Sequence, residues 1–333
     1  MDALRYMVAH RGIAVPLQLG ARAFHRVMKP DHDDAPPEQH EFLRRRFEAL
    51  LERDLANVQR GAYPRDLLFS LPWATYARTF PAVLREVPRV WWRRVQNRFD
   101  ELPENINRSH HPAYYLRNFH WQSDGWFSER SAGLYDVGVE LLFLGAADVM
   151  RRMALPPLVE NIQRHPWPRV VDVACGTGRF LEQLHRTLPR AKLYGLDLSH
   201  PYLAEAGRVL RHVPDVSLMC DSAEHMPFAD RFFDAATSIF LLHELPRDAR
   251  RRVVREAMRV LRPGGVLVVC DSAQLSDGRD IRWFLEAFQE LYHEPYYASY
   301  LRDDVEQVLR ACGFHVEGSE SHYLSKVVVA RKP

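Results

Sequence analysis

Two glycines between an apolar run and an amphipathic one are the first residues placed to do chemistry. Val170-Val171-Asp172-Val173-Ala174-Cys175-Gly176-Thr177-Gly178-Arg179-Phe180-Leu181 reads as a buried strand, a tight turn and the start of a helix. Glycine has no Cβ, so a ligand can lie close against its backbone, and a helix beginning near Gly178 aims unpaired N–H groups at that ligand. About 20 residues later, Leu193-Tyr194-Gly195-Leu196-Asp197 ends in a carboxylate able to accept both hydroxyls of a ribose. A third run ends in Asp221-Ser222-Ala223, an acid suited to an adenine amino group. Beyond a fourth, His243 and Glu244 stand where a second reactant would meet the first, and an imidazole there is suited to take a proton near neutral pH. A structural hydrogen bond is an equally good use of either side chain.

The elements that must position these residues show in the hydrophobic pattern. Strands are expected at about 169–174, 191–196, 216–219, 234–239 and 265–271, with a final pair at about 313–318 and 323–330. Helices are expected at Arg179–Leu188, Pro201–His212, Arg247–Leu261, Ile281–Tyr292 and Asp303–Cys312. Strand, helix and strand, repeated four times, require right-handed crossovers and leave a crevice at the C-terminal ends of the strands. A dinucleotide fingerprint would need a third glycine at position 181, where Leu181 stands, so an NAD-dependent oxidoreductase is the weaker alternative.

Upstream the texture differs, and residues 1–160 are expected to form a mainly helical cap over a cofactor domain spanning 168–333. Glu41 to Gln59 carries Phe42, Leu43, Phe47, Leu50, Leu51, Leu55 and Val58 at helical spacing. Prolines at 64, 72, 81, 88, 103 and 112 are expected to chop the chain beyond Gln59 into short helices and turns. Residues 3–30 are basic without an acid, a solvated helix or a membrane-surface one, and a linker rich in proline and acids occupies 29–37. Arg89, Arg93, Arg94 and Arg98 with Trp91 and Trp92 form a basic aromatic patch, by default a solvated helix face.

Composition bounds the class. Net charge is +2, which gives no support to a nucleic-acid partner, and 47% hydrophobic with 26% charged residues is ordinary for a water-soluble globular chain. The four cysteines, Cys175, Cys220, Cys270 and Cys312, are far apart with no CxxC pair, so no metal is expected and a reducing, cytoplasmic setting is. No run of 18 apolar residues is present, so no transmembrane helix is expected. Oligomeric state has no signature.

Taken in order, the glycine turn, the acids at 197 and 221, the run Asp234 to Leu245 and Leu261-Arg262-Pro263-Gly264-Gly265 resemble the class I, seven-stranded S-adenosylmethionine-dependent methyltransferases. The likeness covers residues 168–330 and looks closest to the branch that methylates small molecules such as quinone precursors. It implies an α/β fold, a doubly wound and mostly parallel seven-stranded sheet of Rossmann-like type, its last strand antiparallel through a hairpin around Gly318 to His322. It implies S-adenosylmethionine as cofactor and S-adenosylhomocysteine as product, with a small and partly hydrophobic acceptor. By position, Ala174, Gly176 and Gly178 would line the methionine portion with Asp172 supporting the loop, and Asp197 would hold the ribose. Leu198 would flank the adenine, Asp221, Ser222 and Ala223 would run along its edge, and Ser238 to Phe240 would close the site. Phe240 departs from the small residue common there. A non-catalytic S-adenosylmethionine-binding protein is the other reading such a fold permits.

A lid is expected near 110–136, where polar and aromatic residues mix. In the resembling family a tyrosine in this region often folds over the cofactor, which makes Tyr115 and Tyr135 candidates, with His120 and Trp121 beside them. His110, His111 and His120 lack the tight spacing of metal ligands.

Overall fold

A computed structural model describes residues 5–10, 37–104, 106–122, 124–278, 280–291 and 293–333, without the side chains of Pro37, Trp73, Arg94, Trp121, Gln289, Glu290 and Leu291. Most of the basic segment 3–30 and the 29–37 linker lie outside the described residues.

Seven strands make one sheet: β1 (Arg169–Val173), β2 (Lys192–Asp197), β3 (Val216–Cys220), β4 (Phe233–Ile239), β5 (Leu261–Ser272), β6 (His315–His322) and β7 (Ser325–Arg331), in the order β3-β2-β1-β4-β5-β7-β6. The sheet is mixed: β1 to β5 pair in parallel, while β7 runs antiparallel to both β5 and β6. The strand order reverses between β1 and β4, and an open α/β sheet carries its ligand crevice at such a reversal. Val170, Val171 and Val173 of β1 and Val266 to Val269 of β5 are all buried, which is why those strands read as continuous apolar runs.

Helices before the sheet are α1 (5–10), α2 (Pro37–Gln59), α3 (Trp73–Gln96), α4 (Glu129–Leu142), α5 (Ala147–Arg152) and α6 (Leu155–Ile162). Within and after it come α7 (Arg179–Thr187), α8 (His200–Val209), α9 (Arg247–Val260), α10 (Arg282–Leu291), α11 (Tyr297–Arg302) and α12 (Val305–Ala311).

Four expectations need correcting. Pro81 and Pro88 do not break the chain; both lie inside the 24-residue α3. They sit seven positions apart on the exposed face, as do Ala77 and Leu84, the residues four before them, so the carbonyls that a proline leaves without an N–H partner belong to solvent-exposed residues. The crossover from β3 to β4 has no helix, and α9 pins it instead: Glu256 accepts from the Met226 N–H at 2.7 Å, and Arg259 donates to the Phe228 carbonyl at 2.7 Å. Gly318 to His322 lies inside β6, and the hairpin turns at Tyr323-Leu324, with Tyr323 at φ 52°. In the basic patch Arg93 is buried, bonded to Glu101 at 2.8 Å and to the Gln122 carbonyl at 3.0 Å, while Trp92 is 54% exposed.

The helical part is tied in by buried charge as well as by apolar packing. Asp54 of α2 accepts from Arg152 Nε at 3.0 Å and Nη2 at 2.6 Å and from the hydroxyls of Tyr6 and Tyr63. Asp148 of α5 accepts from Arg151 and from Arg179, the first residue of α7. Arg46 of α2 reaches the hairpin, donating to the Tyr323 carbonyl at 2.7 Å. Among the described residues no helix is long and apolar enough to cross a membrane.

Candidate functional site

Each parallel strand ends by turning its chain over the sheet's C-terminal edge. Ala174 after β1 and Phe240 after β4 take left-handed backbone conformations, φ 58° and 57°, which L residues adopt only where surrounding structure holds them. Gly176 (φ 55°) continues the first turn, and nothing lies within 4 Å of where its Cβ would be. Gly178 is different: a Cβ there would meet Leu210 Cδ1 at 2.8 Å, so its bareness lets α7 pack against α8.

These turns floor a cavity of about 800 Å³, open mouth included. Ala174, Gly176, Asp197, Leu198, Asp221, Ser222, Ala223 and Phe240 line it, as do Tyr115, Tyr135 and Glu244. Asp172, Gly178, Ser238, His120 and His243 are not among the lining residues, and the side chain of Trp121 is not described. Asp172 is buried on β1 and accepts from Thr237 Oγ1 at 2.7 Å, a bond between adjacent strands below the floor. Burial pushes its pKa up to about 7 against that bond.

Asp197 ends β2 with its carboxylate already half employed. Oδ2 accepts from the Gly176 N–H and Oδ1 from the Ser199 N–H, each at 2.8 Å, which joins the glycine turn to the start of α8. Burial raises its pKa to about 6, and those amide bonds resist the rise. A carboxylate oxygen has two lone pairs, so acceptor capacity remains for a diol. Asp221 is exposed at the far rim.

The roof is aromatic. Trp126, Tyr135 and Tyr202 meet edge to face, with ring centroids 5.2 to 5.6 Å apart, and Phe119 packs on Trp126 at 5.8 Å. The 110–136 segment is bonded to the elements around the sheet at separate points. Tyr114 donates to Glu224 at 2.6 Å, Tyr202 donates to Gln122 at 3.0 Å, and Thr177 in the glycine turn donates to Asp136 at 2.9 Å.

A second cavity of about 330 Å³, open mouth included, is lined by Phe143, Phe240, His243, Ser272, Phe284, Leu285, Phe288, Tyr297 and Leu324. Phe240 borders both cavities. His243 Nδ1 is 2.7 Å from Asp271 Oδ1, and its Nε2 lies 4.0 Å from Glu244 Oε1. Burial lowers the His243 pKa, but the Asp271 carboxylate outweighs it and the net shift is upward. Glu244 is shifted up by burial, which His120, with Nε2 at 3.1 Å, only partly offsets. For His120 itself burial is outweighed by Glu294 and Glu244, and its pKa rises to about 10. Glu224, Gln122, Asp136, Asp271 and Glu294 were not singled out in the sequence because each acts through a partner distant in the chain; Gln122 and Asp136 lie inside the 110–136 segment, but nothing local marked them.

A profile described as "Methyltransferase domain" matches residues 170–265. The Ubiquinone/menaquinone biosynthesis C-methyltransferase UbiE of Desulfotalea psychrophila is 34% identical over 141 residues, 42% of this chain and 54% of that protein. Demethylmenaquinone methyltransferase of Geobacillus stearothermophilus is 32% identical over 187 residues, 50% of this chain and 75% of that protein. Phthiotriol/phenolphthiotriol dimycocerosates methyltransferase 1 of Mycobacterium ulcerans is 38% identical over 104 residues, 31% of this chain and 37% of that protein. The chain spans about half the length of the first curated relatives it matches. The profile runs from β1 into β5, the strands that carry the glycine turn and Asp197, and the Geobacillus enzyme is matched over three-quarters of its length; the chain belongs to the class I S-adenosylmethionine-dependent methyltransferases.

Proposed function

We propose that this chain transfers the methyl group of S-adenosylmethionine to a small, partly hydrophobic acceptor through an O, N, S or carbon nucleophile. The observation that carries the reading is the pair of cavities meeting at Phe240: one has a carboxylate floor and an aromatic roof, the other is lined mainly by aromatic and aliphatic side chains. In this reading residues 1–160 form a helical cap with a lid at 110–136, and 168–333 form the cofactor domain. The relatives named for ubiquinone and menaquinone biosynthesis support an acceptor of similar character. Four free cysteines fit a reducing, cytoplasmic setting.

S-adenosylmethionine supplies an electrophilic methyl carbon on a sulfonium. Asp197 would accept from the ribose hydroxyls, Asp221 with Ser222 and Ala223 would flank the adenine, and the Ala174 to Gly176 backbone would receive the methionine portion. Phe119, Trp126, Tyr135 and Tyr202 exclude water and turn aromatic surface toward the cation. The second cavity, with Phe240 at its border to the first, would receive the acceptor, whose nucleophile would take the methyl group that the bound cofactor supplies, with S-adenosylhomocysteine as the other product. Alignment supplies most of the acceleration. Glu244, on the wall of the first cavity, takes the acceptor's proton, with His243 beside it.

Calorimetric titration with S-adenosylmethionine, S-adenosylhomocysteine and NAD tests the cofactor. Binding of the first two in the micromolar range without NAD is expected, followed by turnover of a phenol, thiol or prenylated quinol. Absence of binding by both sulfur compounds would overturn the reading.

A further inference from the structure

Three stretches of chain meet beside the second cavity, which His243 lines. His120 comes from the lid, His243 from the turn after β4, and Glu294 from the loop between α10 and α11. One potential ligand atom from each lies within 4.8 Å of the other two. We propose that His120, His243 and Glu294 form a binding site for a divalent transition-metal ion that fastens the lid to the sheet domain.

The chemistry of the donors sets the ion class. Two imidazoles and a carboxylate suit Zn²⁺ and its neighbours and are a poor match to Mg²⁺ or Ca²⁺, which prefer all-oxygen shells. His243 is prepared for such a role, because its Nδ1 is engaged by the buried Asp271 and its Nε2 faces the cluster, the arrangement by which a carboxylate orients a ligating histidine. Asp271 is itself fixed by the Leu242 N–H at 2.7 Å.

Two further observations point to a cation. Glu294 is 4% exposed; its Oε1 faces His120 Nδ1, and its Oε2 has no hydrogen-bond partner among the described residues, a costly state for a buried carboxylate. Around it, the ion-pair partners of Glu244, Glu294 and Asp271 among the described residues are His120 and His243, so three carboxylates face two imidazoles. The backbone is also bent to deliver the lid ligand: His120 sits at φ 49° and ψ 24° inside its helical turn, with its N–H donating to the His293 carbonyl at 3.2 Å.

The test is titration of chelator-treated full-length protein with Co²⁺, monitored by the visible absorption that cobalt gains with nitrogen ligands, then displacement by Zn²⁺. One Co²⁺ per chain is expected, and Glu294→Gln and His120→Asn should each weaken it by on the order of 100-fold. Thermal melts and circular dichroism of the same samples report whether the variants fold, and S-adenosylhomocysteine binding by the wild-type chain keeps this outcome separate from the methyltransferase reading. No cobalt uptake by the wild-type chain, or uptake unchanged in both folded variants, would overturn the site.

Discussion

Replacing Asp197 by asparagine separates the two tasks that its carboxylate performs. In the wild-type chain its oxygens accept from the Gly176 and Ser199 amides at 2.8 Å, and its pKa is held at about 6 by burial. Only the ionised form accepts at every oxygen, so binding of the ribose diol favours the carboxylate. A group with that pKa is about nine-tenths ionised at pH 7 and about one-tenth at pH 5, so affinity for S-adenosylhomocysteine should fall about tenfold, or about 1.4 kcal/mol, across that interval. Stability of the free protein runs the other way. The folded pKa is raised above the unfolded value of about 4, so this group's contribution is present below pH 4 and is lost as pH rises toward 6. Asparagine cannot titrate, and it sets an N–H against one of the two amide donors. Asp197→Asn should therefore bind S-adenosylhomocysteine about 10- to 150-fold more weakly at pH 7, the roughly 1.5–3 kcal/mol of charge-assisted bonds, with a profile flat between pH 7 and 5. Calorimetric titration at both pH values, with thermal melts as a fold control, reads every quantity. Wild-type affinity in the folded variant, or a surviving tenfold fall, would refute the assignment and move the titrating group to a neighbour such as Asp172.

Other expectations rest on the same contacts. His243→Ala should slow turnover at least about tenfold while leaving S-adenosylhomocysteine affinity within about twofold, since His243 borders only the second cavity; full activity across pH would make it structural. Asp54→Ala leaves Arg152, 1% exposed, without its carboxylate and should cost about 3–5 kcal/mol in a urea melt. The double variant Asp54→Leu with Arg152→Met should recover part of that loss, the remainder reflecting the Tyr6 and Tyr63 hydroxyls left without their acceptor, and an undiminished cost there would argue against buried charge as the cause. Gly195→Ala would press a methyl against Leu218 Cδ2 at 2.7 Å and Cys175 Sγ at 2.8 Å, and should cost about 1–3 kcal/mol; a neutral melt would show that β2 can shift.

The features legible in the sequence were local ones. The strand, glycine turn and helix from Val170 to Leu181 depend on neighbouring residues, and both the α7 start at Arg179 and the acid ending β2 fall where the pattern puts them. Tertiary context decided what the pattern missed. Whether Pro81 and Pro88 break a helix depends on which side of it meets water, and that side is set by packing against α4. The β3–β4 crossover carries no helical periodicity because side chains from α9 satisfy its backbone.

The lid cluster shows the same limit more sharply. Spacing betrays a metal or catalytic site when its ligands share one helix or turn, as in a pair of histidines four apart. His120, His243 and Glu294 come from three stretches joined only through the sheet, so no spacing relates them, and judged by its neighbours in the chain His120 looked like an ordinary lid residue. The fold supplies the missing relation. β4 and β5 place His243 beside Asp271, the chain beyond α10 brings Glu294 underneath, and a strained turn aims His120 at both. Two buried carboxylates and a half-buried third facing two imidazoles are expensive for a stable fold to keep unless something is bound there, so the stability of the wild-type protein with and without Zn²⁺ bears directly on why the cluster exists.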